Sequence, residues 1–331
     1  MATRTESLVE VRCAEAADRP AILELLAASL GWSTDERFDA FFSWKHEENP
    51  FGRSPAWVAV DGGEVVGYRT FMRWELIAID GTVLRAVRAV DTATHPAHQG
   101  RGIFRQLTLQ ALDDLHAEGV AFVFNTPNDK SRPGYLKMGW IPVGRLGVSA
   151  RVLSLVAPWQ LARARVPAEL WSVSSTGGRP APEVLADPGL GDLVGSLPVG
   201  GGLTTPRTSA YLRWRYAFAP LAYRAVTLDH DVRAGLAIFR VRRRGPAREC
   251  VLCEVLAPDG EPGASRALIR SVVRACGADY VIRSGGPLVD RRGFIRLPRQ
   301  GPMLTWRRLA AHTPGGHLSD WDLALGDVEL F

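Results

Sequence analysis

The stretch from Val87 to Phe104 restricts the fold more than any other part of this 331-residue chain. It reads Val-Arg-Ala-Val-Asp-Thr-Ala-Thr-His-Pro-Ala-His-Gln-Gly-Arg-Gly-Ile-Phe. A run of Val, Ala and Thr ends at Pro96, a short loop carries Gly100 and Gly102, and an amphipathic pattern begins at Ile103. Strand, loop and helix are expected in succession. Glycine leaves the loop N–H groups unobstructed, and they lie at the positive end of a helix whose first amides lack internal partners. Such a place binds phosphate.

Two common phosphate motifs fail on spacing. The segment lacks the third glycine of a dinucleotide fingerprint, and no Gly-Lys-Ser/Thr follows as in a nucleotide-triphosphate loop. A glycine turn that merely caps a helix has the same local sequence, so the loop alone leaves both readings open. Its surroundings are more specific. Gln99-Gly-Arg-Gly-Ile-Phe104, preceded by a strand with Asp91 five positions before Pro96, resembles the coenzyme A loop of the GNAT acetyltransferases, whose pattern is Gln/Arg-x-x-Gly-x-Gly/Ala. Phe104 departs from it, standing where Gly or Ala is usual. Downstream, Asn125 ends an apolar strand, and Tyr135-Leu-Lys-Met-Gly-Trp140 resembles the family's Tyr-x-Lys-x-Gly-Phe segment. The resemblance covers about residues 8–150.

The resemblance implies acetyl-CoA as cofactor, with pantetheine threaded between two parallel strands that part at their ends. Its contacts would come from Thr92, Ala93 and Thr94 on the strand, from Gln99, Gly100, Arg101, Gly102, Ile103 and Phe104 in the loop and helix start, and from Asn125 and Asn128 at the mouth. Acetyl transfer to an amine needs an uncharged amine, a donor to the developing oxyanion and a proton for the departing thiolate. Tyr135 matches the family's proton donor, with plain packing on the cofactor as the alternative. Asp91 matches an acidic strand position and would serve as base through water or orient the acceptor's ammonium, with Glu75, His95 and His46 as rivals. The family also admits a C-terminal carboxylate as base, here that of Phe331. Trp32 and His46 are the aromatic-helix residues expected to reach the cleft.

Composition sets the outer limits. The length suits two ordinary domains, and 46% hydrophobic with 23% charged residues belongs to a soluble globular chain. Cys13, Cys250, Cys253 and Cys276 are too scattered for a disulfide framework, the first ten residues are polar, and no apolar run is long enough to span a bilayer. A cytoplasmic location is expected, with no membrane partner. The net charge is +5 and nearly all of the 40 basic residues are Arg, spread along the chain without an interleaved aromatic run. No nucleic-acid partner is expected, although a modest positive field favours an anionic cofactor. Cys250-Val-Leu-Cys253 reads as a buried strand and not as a metal pair, because residues three apart on a strand face opposite sides.

Taken in order, helices are expected near Asp18–Gly31 and Asp35–Glu47. An antiparallel meander should follow, turning at Asp61-Gly62-Gly63 and Asp80-Gly81. Beyond the loop come a helix to Gly119, a buried parallel strand at Val120–Phe124, a helix with Tyr135, and strands near Trp140–Val143 and Val148–Leu153 that close the domain. Gly- and Pro-rich punctuation marks residues 156–207 as a connector with short helices. From Tyr211 the order of elements repeats, but Asp259-Gly-Glu-Pro-Gly263 replaces the phosphate loop. The expected fold class is α/β (α+β): two GNAT-like domains, each a mixed, mostly antiparallel sheet flanked by helices. Residues 1–155 form the catalytic domain and residues 208–331 a degenerate copy. The function expected is acetyl-CoA-dependent N-acetylation of a small-molecule amine, such as an amino sugar, an aminoglycoside-like compound or an amino acid derivative. An aminoacyl-tRNA-dependent transferase of tandem GNAT fold and a non-catalytic acyl-CoA-binding module are the alternatives, and the oligomeric state stays open, a homodimer included.

Overall fold

The turn residues divide the chain much as their chemistry dictates. A computed structural model describes residues 9–32, 35–154, 166–259, 261–285 and 293–330. Its elements in order are β1 (Glu10–Cys13), α1 (Arg19–Leu30), α2 (Glu36–His46), β2 (Ala56–Asp61), β3 (Glu64–Ile77), β4 (Val83–Thr94), α3 (Ile103–Ala117), β5 (Phe122–Asn125), α4 (Arg132–Lys137), β6 (Ile141–Arg145) and β7 (Val148–Val152). There follow β8 (Arg179–Pro180), α5 (Ala181–Leu185), α6 (Leu190–Gly195), α7 (Ser209–Ala217), β9 (Arg224–Leu228), β10 (Asp231–Arg244), β11 (Ala247–Leu256), α8 (Pro262–Ala275), β12 (Tyr280–Ser284), β13 (Ile295–Arg296) and β14 (Met303–Arg308).

Two units result. One holds the chain up to Leu76 together with Val83–Val143 and Leu304–Gly316; the other holds Ile77–Thr82, Gly144–Met303 and the chain from His317. Each contains a seven-stranded sheet, in the order β1-β2-β3-β4-β5-β14-β6 and β13-β7-β12-β11-β10-β9-β8 respectively. Both sheets are mostly antiparallel and flanked by helices. Among the described pairings, β4 with β5 and β11 with β12 are parallel, each joined by a helical crossover.

In the first unit α1 carries Pro20 in its first turn and ends at Gly31 with φ 71°. Asp18 does not cap it. Its carboxylate instead takes both Arg12 guanidinium nitrogens at 2.7 Å and the Glu15 N–H. Asp35 caps α2, accepting from the N–H groups of Arg37 and Phe38. Gly62 and Gly63 turn the β2–β3 hairpin with positive φ. The apolar face of α3 (Ile103, Leu107, Ala111, Leu112, Leu115) packs on Trp57, Phe71, Val87 and Val123. Its approach is close: a Cβ on Gly67 would stand 2.5 Å from Ile103 Cγ2. On the other face Ile22, Leu25 and Leu26 of α1 pack with Phe42, Val58, Tyr68 and Ala93.

Strand partners depart from expectation. Instead of closing the first sheet, β7 pairs antiparallel with β12, Tyr280 opposite Val152. The place beside β5 goes to β14, which enters between β5 and β6 with Thr305 opposite Asn125. The alternation that reveals a strand says nothing of which distant strand completes its ladder.

In the second unit the β11–β12 pairing stops at Val251 and Ile282, although β11 runs on to Leu256. A cavity of about 1130 Å³ opens there, bordered by Leu252–Ala257, by Arg283–Gly285 and by Leu323, Ala324 and Leu325 of the C-terminal segment. Ser284 Oγ donates to Leu323 O at 2.8 Å, and Gly326 lies against Cys253 and Glu254. The apolar C-terminal residues Trp321, Leu323, Leu325 and Val328 are buried, as are the charged Asp327 and Glu329. Glu329 takes Arg215 at 3.2 Å and Arg240 at 2.8 Å, and Asp327 takes Arg207 at 2.8 Å. Phe331 lies outside the described residues.

Candidate active site

Parallel pairing between β4 and β5 ends at Arg88 and Phe124, while β4 continues to Thr94. The strands therefore part over the second half of β4, where Thr92, Ala93 and Thr94 lie. Beyond the gap Gly100 and Gly102 both have φ 78°, the left-handed region that favours glycine. Nothing described stands within 4 Å of where a Cβ would sit on either. Gly102 is the N-cap of α3 and supplies no side chain to cap it, so the helix opens with its positive end uncovered. An extended amide-bearing chain fits the gap, and a pyrophosphate fits the loop. These are the needs of coenzyme A.

The other predicted cofactor residues have local duties as well. Thr92 Oγ1 donates to Tyr68 O at 3.3 Å, and Gln99 Nε2 to Thr94 O at 3.4 Å. Arg101 is bound to Asp61 at 2.6 Å. Asn125, at the end of β5, accepts from Thr305 Oγ1 at 2.6 Å, while Asn128 Oδ1 accepts from the Lys130 and Ser131 N–H groups and shapes the turn into α4. Ile103 is buried against the sheet. Phe104, the departure from the family pattern, packs edge-on to Tyr135 with ring centres 5.5 Å apart and lies against Gly134.

Tyr135 and Asp91 are held by different partners. The Tyr135 phenol is buried and its oxygen accepts from Arg69 Nη1 at 2.7 Å. A guanidinium has no acceptor, so this bond has one direction and leaves the phenol its own proton to give. The Arg69 guanidinium is fully buried and stacks on Phe71, Phe104 and Tyr135, with Cζ 4.3, 5.7 and 5.3 Å from the ring centres.

Asp91 interrupts β4 with φ 37°, an uncommon conformation for a residue other than glycine. Its Oδ2 receives Lys45 Nζ at 2.7 Å and His46 Nε2 at 2.8 Å, and His46 Nδ1 lies 3.1 Å from Ser54 Oγ. Burial by itself would raise the Asp91 pKa, but the Lys45 charge and the His46 hydrogen bond outweigh it and hold the carboxyl well below its ordinary value. Burial pushes His46 down, only partly offset by Asp91. His46 and Ser54 also border a cavity of about 430 Å³ that Tyr135 does not line. Of the rivals, His95 caps the turn after β4 and stacks on His98, and Glu75 is half-buried on β3. Trp32 packs on Phe38 and Phe41.

Lys45, Ser54, Arg69 and Thr305 were absent from the residues expected at the site. Arg69 had a legible signal, since it breaks an otherwise uncharged run, Val65-Val-Gly-Tyr-Arg-Thr-Phe-Met72. Thr305 had none, because its place depends on a non-local strand pairing. Among the described residues no cluster of His, Cys, Asp or Glu could hold a metal. Cys250 and Cys253 are buried in β11, and no described helix is long and apolar enough to cross a membrane.

The family model of the GNAT acetyltransferase domain matches residues 10–143. No curated protein matches the chain in sequence. Among solved structures, the chain is similar to a conserved protein of unknown function, a probable N-acyltransferase, from Enterococcus faecalis V583, with TM-score 0.66 at 12% identity over 92% of this chain and 73% of that one. It is also similar to a GCN5-related N-acetyltransferase from Anabaena variabilis ATCC 29413 (TM-score 0.63, 12% identity, 92% and 73% covered). A third is Eis1 from Mycobacterium abscessus (TM-score 0.58, 16% identity, 91% and 74% covered). At such identities the likeness is one of fold. The family match and the parted strands above the glycine loop agree on this part of the chain: residues 10–143 are a GNAT acetyltransferase domain, and the cofactor of such a domain is acetyl-CoA.

Proposed function

We propose that the protein N-acetylates the amine of a small molecule, with acetyl-CoA held in the gap between β4 and β5 and Tyr135 as proton donor. The observation that carries this reading is the hydrogen bond from Arg69 to the phenol oxygen, which leaves Tyr135 a proton to give. Thr92, Ala93, Thr94, Asn125 and Asn128 border the strand ends assigned to pantetheine, and the backbone from Gln99 to Phe104 is assigned to the pyrophosphate. Acetyl-CoA bound there supplies a thioester, whose transfer to an amine releases a thiolate. The proton that thiolate needs comes from Tyr135 Oη.

Asp91 serves in this reading as an anionic anchor for the acceptor's ammonium and not as a strong base. Lys45 and His46 stabilise its ionised form, and their contacts fall on Oδ2, so Oδ1 is the oxygen assigned to the acceptor. Residues 208–331 are assigned no cofactor. Their parted strands are lined by the C-terminal segment, whose Asp327 and Glu329 answer the buried arginines in place of a foreign anion.

The test is a melting scan with and without acetyl-CoA, followed by thiol release from acetyl-CoA in the presence of amino sugars, aminoglycosides, amino acid amides and polyamines. Stabilisation by acetyl-CoA alone and thiol release with at least one of these amines are expected. Stabilisation with no acetylation of any amine would favour a module that binds acyl-CoA without turnover.

A further inference from the structure

We propose that Arg69 is a positioning residue for acetyl transfer: it grips the Tyr135 phenol by its oxygen, turns the phenolic proton toward the leaving group and stabilises the phenolate left behind. The inference rests on the reading of Tyr135 as proton donor.

Arg69 is an expensive residue for its place. It lies on β3 with no exposed surface, and its Nε and Nη2 have no hydrogen-bond partner among the described residues. A buried guanidinium stays protonated, and an uncompensated charge in a low-dielectric interior destabilises a fold. Packing alone would be served by Met or Leu. What the cation does favour is negative charge on the atom it touches, and that atom is the Tyr135 oxygen at 2.7 Å.

Phe104 belongs to the same device. It replaces the small residue usual at the end of the loop pattern, and its ring lies 5.7 Å from the Arg69 Cζ and 5.5 Å from the Tyr135 ring. Phe71 flanks the guanidinium at 4.3 Å. The aromatic faces offer the cation partial compensation without offering it a carboxylate that would draw it away from the phenol. Arg307, stacked on Trp140 at 5.3 Å, is a second cation and offers Arg69 no counter-charge.

The proton count closes. In the transfer the amine nitrogen forms the new C–N bond as the C–S bond breaks, and the Tyr135 O–H bond breaks as an S–H bond forms. The phenolate stays hydrogen-bonded to Arg69 until it regains a proton from water, and the proton shed by the amine goes to solvent.

The test compares Arg69→Met, Arg69→Lys, Tyr135→Phe and the Arg69→Met/Tyr135→Phe pair. Thiol release from acetyl-CoA is followed with the amine accepted in the screen above, and folding is checked by melting. Tyr135→Phe should lower kcat by about 10²-fold or more. Arg69→Met should lower kcat about 10-fold, as loss of a charge-assisted hydrogen bond does, with KM for acetyl-CoA within a factor of about 3. Arg69→Lys should recover part of that loss, and the pair should be no slower than Tyr135→Phe alone. If Arg69→Met does not fold, Arg69→Gln replaces it with the same expectation.

A folded Arg69→Met or Arg69→Gln with unchanged kcat, or losses that multiply in the pair, overturns the proposal while leaving Tyr135 in its role. Near-normal turnover of Tyr135→Phe overturns the proton-donor reading itself.

Discussion

Asp91 and Lys45 illustrate what a residue-scale reading of sequence can reach. An aspartate inside a strand of Val, Ala and Thr was conspicuous, and it does sit at a strained, partnered position. Lys45 was not, because on a helix it looks like any surface cation; only the structure shows it 2% exposed with its ammonium on Asp91. Replacing Asp91 by Asn removes the counter-charge from that buried lysine. Breaking a buried pair from one side costs about 3 kcal/mol, so Asp91→Asn is expected to lower the urea unfolding free energy by that order at pH 7. A change below about 0.5 kcal/mol would mean that the pair contributes as little as an exposed one. The carboxyl is held below its ordinary value, so its contribution is present at neutral pH and is lost as the solution is acidified through the folded-state value.

At the scale of elements, periodicity located most helices and strands to within a few residues, and the glycines that end α1 and turn the β2–β3 hairpin stand where their conformational freedom requires. The pairing of β7 and β14 was illegible, since each strand's partner lies more than a hundred residues away. Burial of Trp321, Leu323 and Leu325 follows from their apolar side chains, but the acidic residues beside them gave no hint of their partners. Glu329 is instructive: burial would raise it, yet Arg240 and Arg215 draw it down to about 2 from an ordinary 4.5. A depressed carboxylate stabilises the fold fully above the ordinary value and loses that contribution as pH falls toward the folded one. The urea unfolding free energy should therefore drop between about pH 5 and pH 2, by about 3 kcal/mol from this group alone. Glu329→Gln should be destabilised at pH 7 and show a flatter dependence across that window. A variant whose acid profile parallels the parent's would remove Glu329 from the account.

Across the whole molecule, two sheets each contain a parallel pair that parts, yet among the described residues only one gap opens onto a glycine loop at a helix start. The repeat of strand and helix order was visible in the sequence, as was the loss of the loop in the second half. What could not be read was that the second gap is lined by Leu323, Ala324 and Leu325, because that depends on a non-local contact. The account therefore predicts a single acetyl-CoA per chain. Titration calorimetry of the intact protein measures this directly, with Gly102→Asp and Gly102→Ala beside it. Alanine meets only the backbone cost of φ 78°, whereas aspartate adds a carboxylate where the pyrophosphate is assigned. One site in the parent, weakened by about 10²-fold or more in Gly102→Asp and far less in Gly102→Ala, is the predicted result. Two sites per chain, or equal affinity in Gly102→Asp, would contradict it.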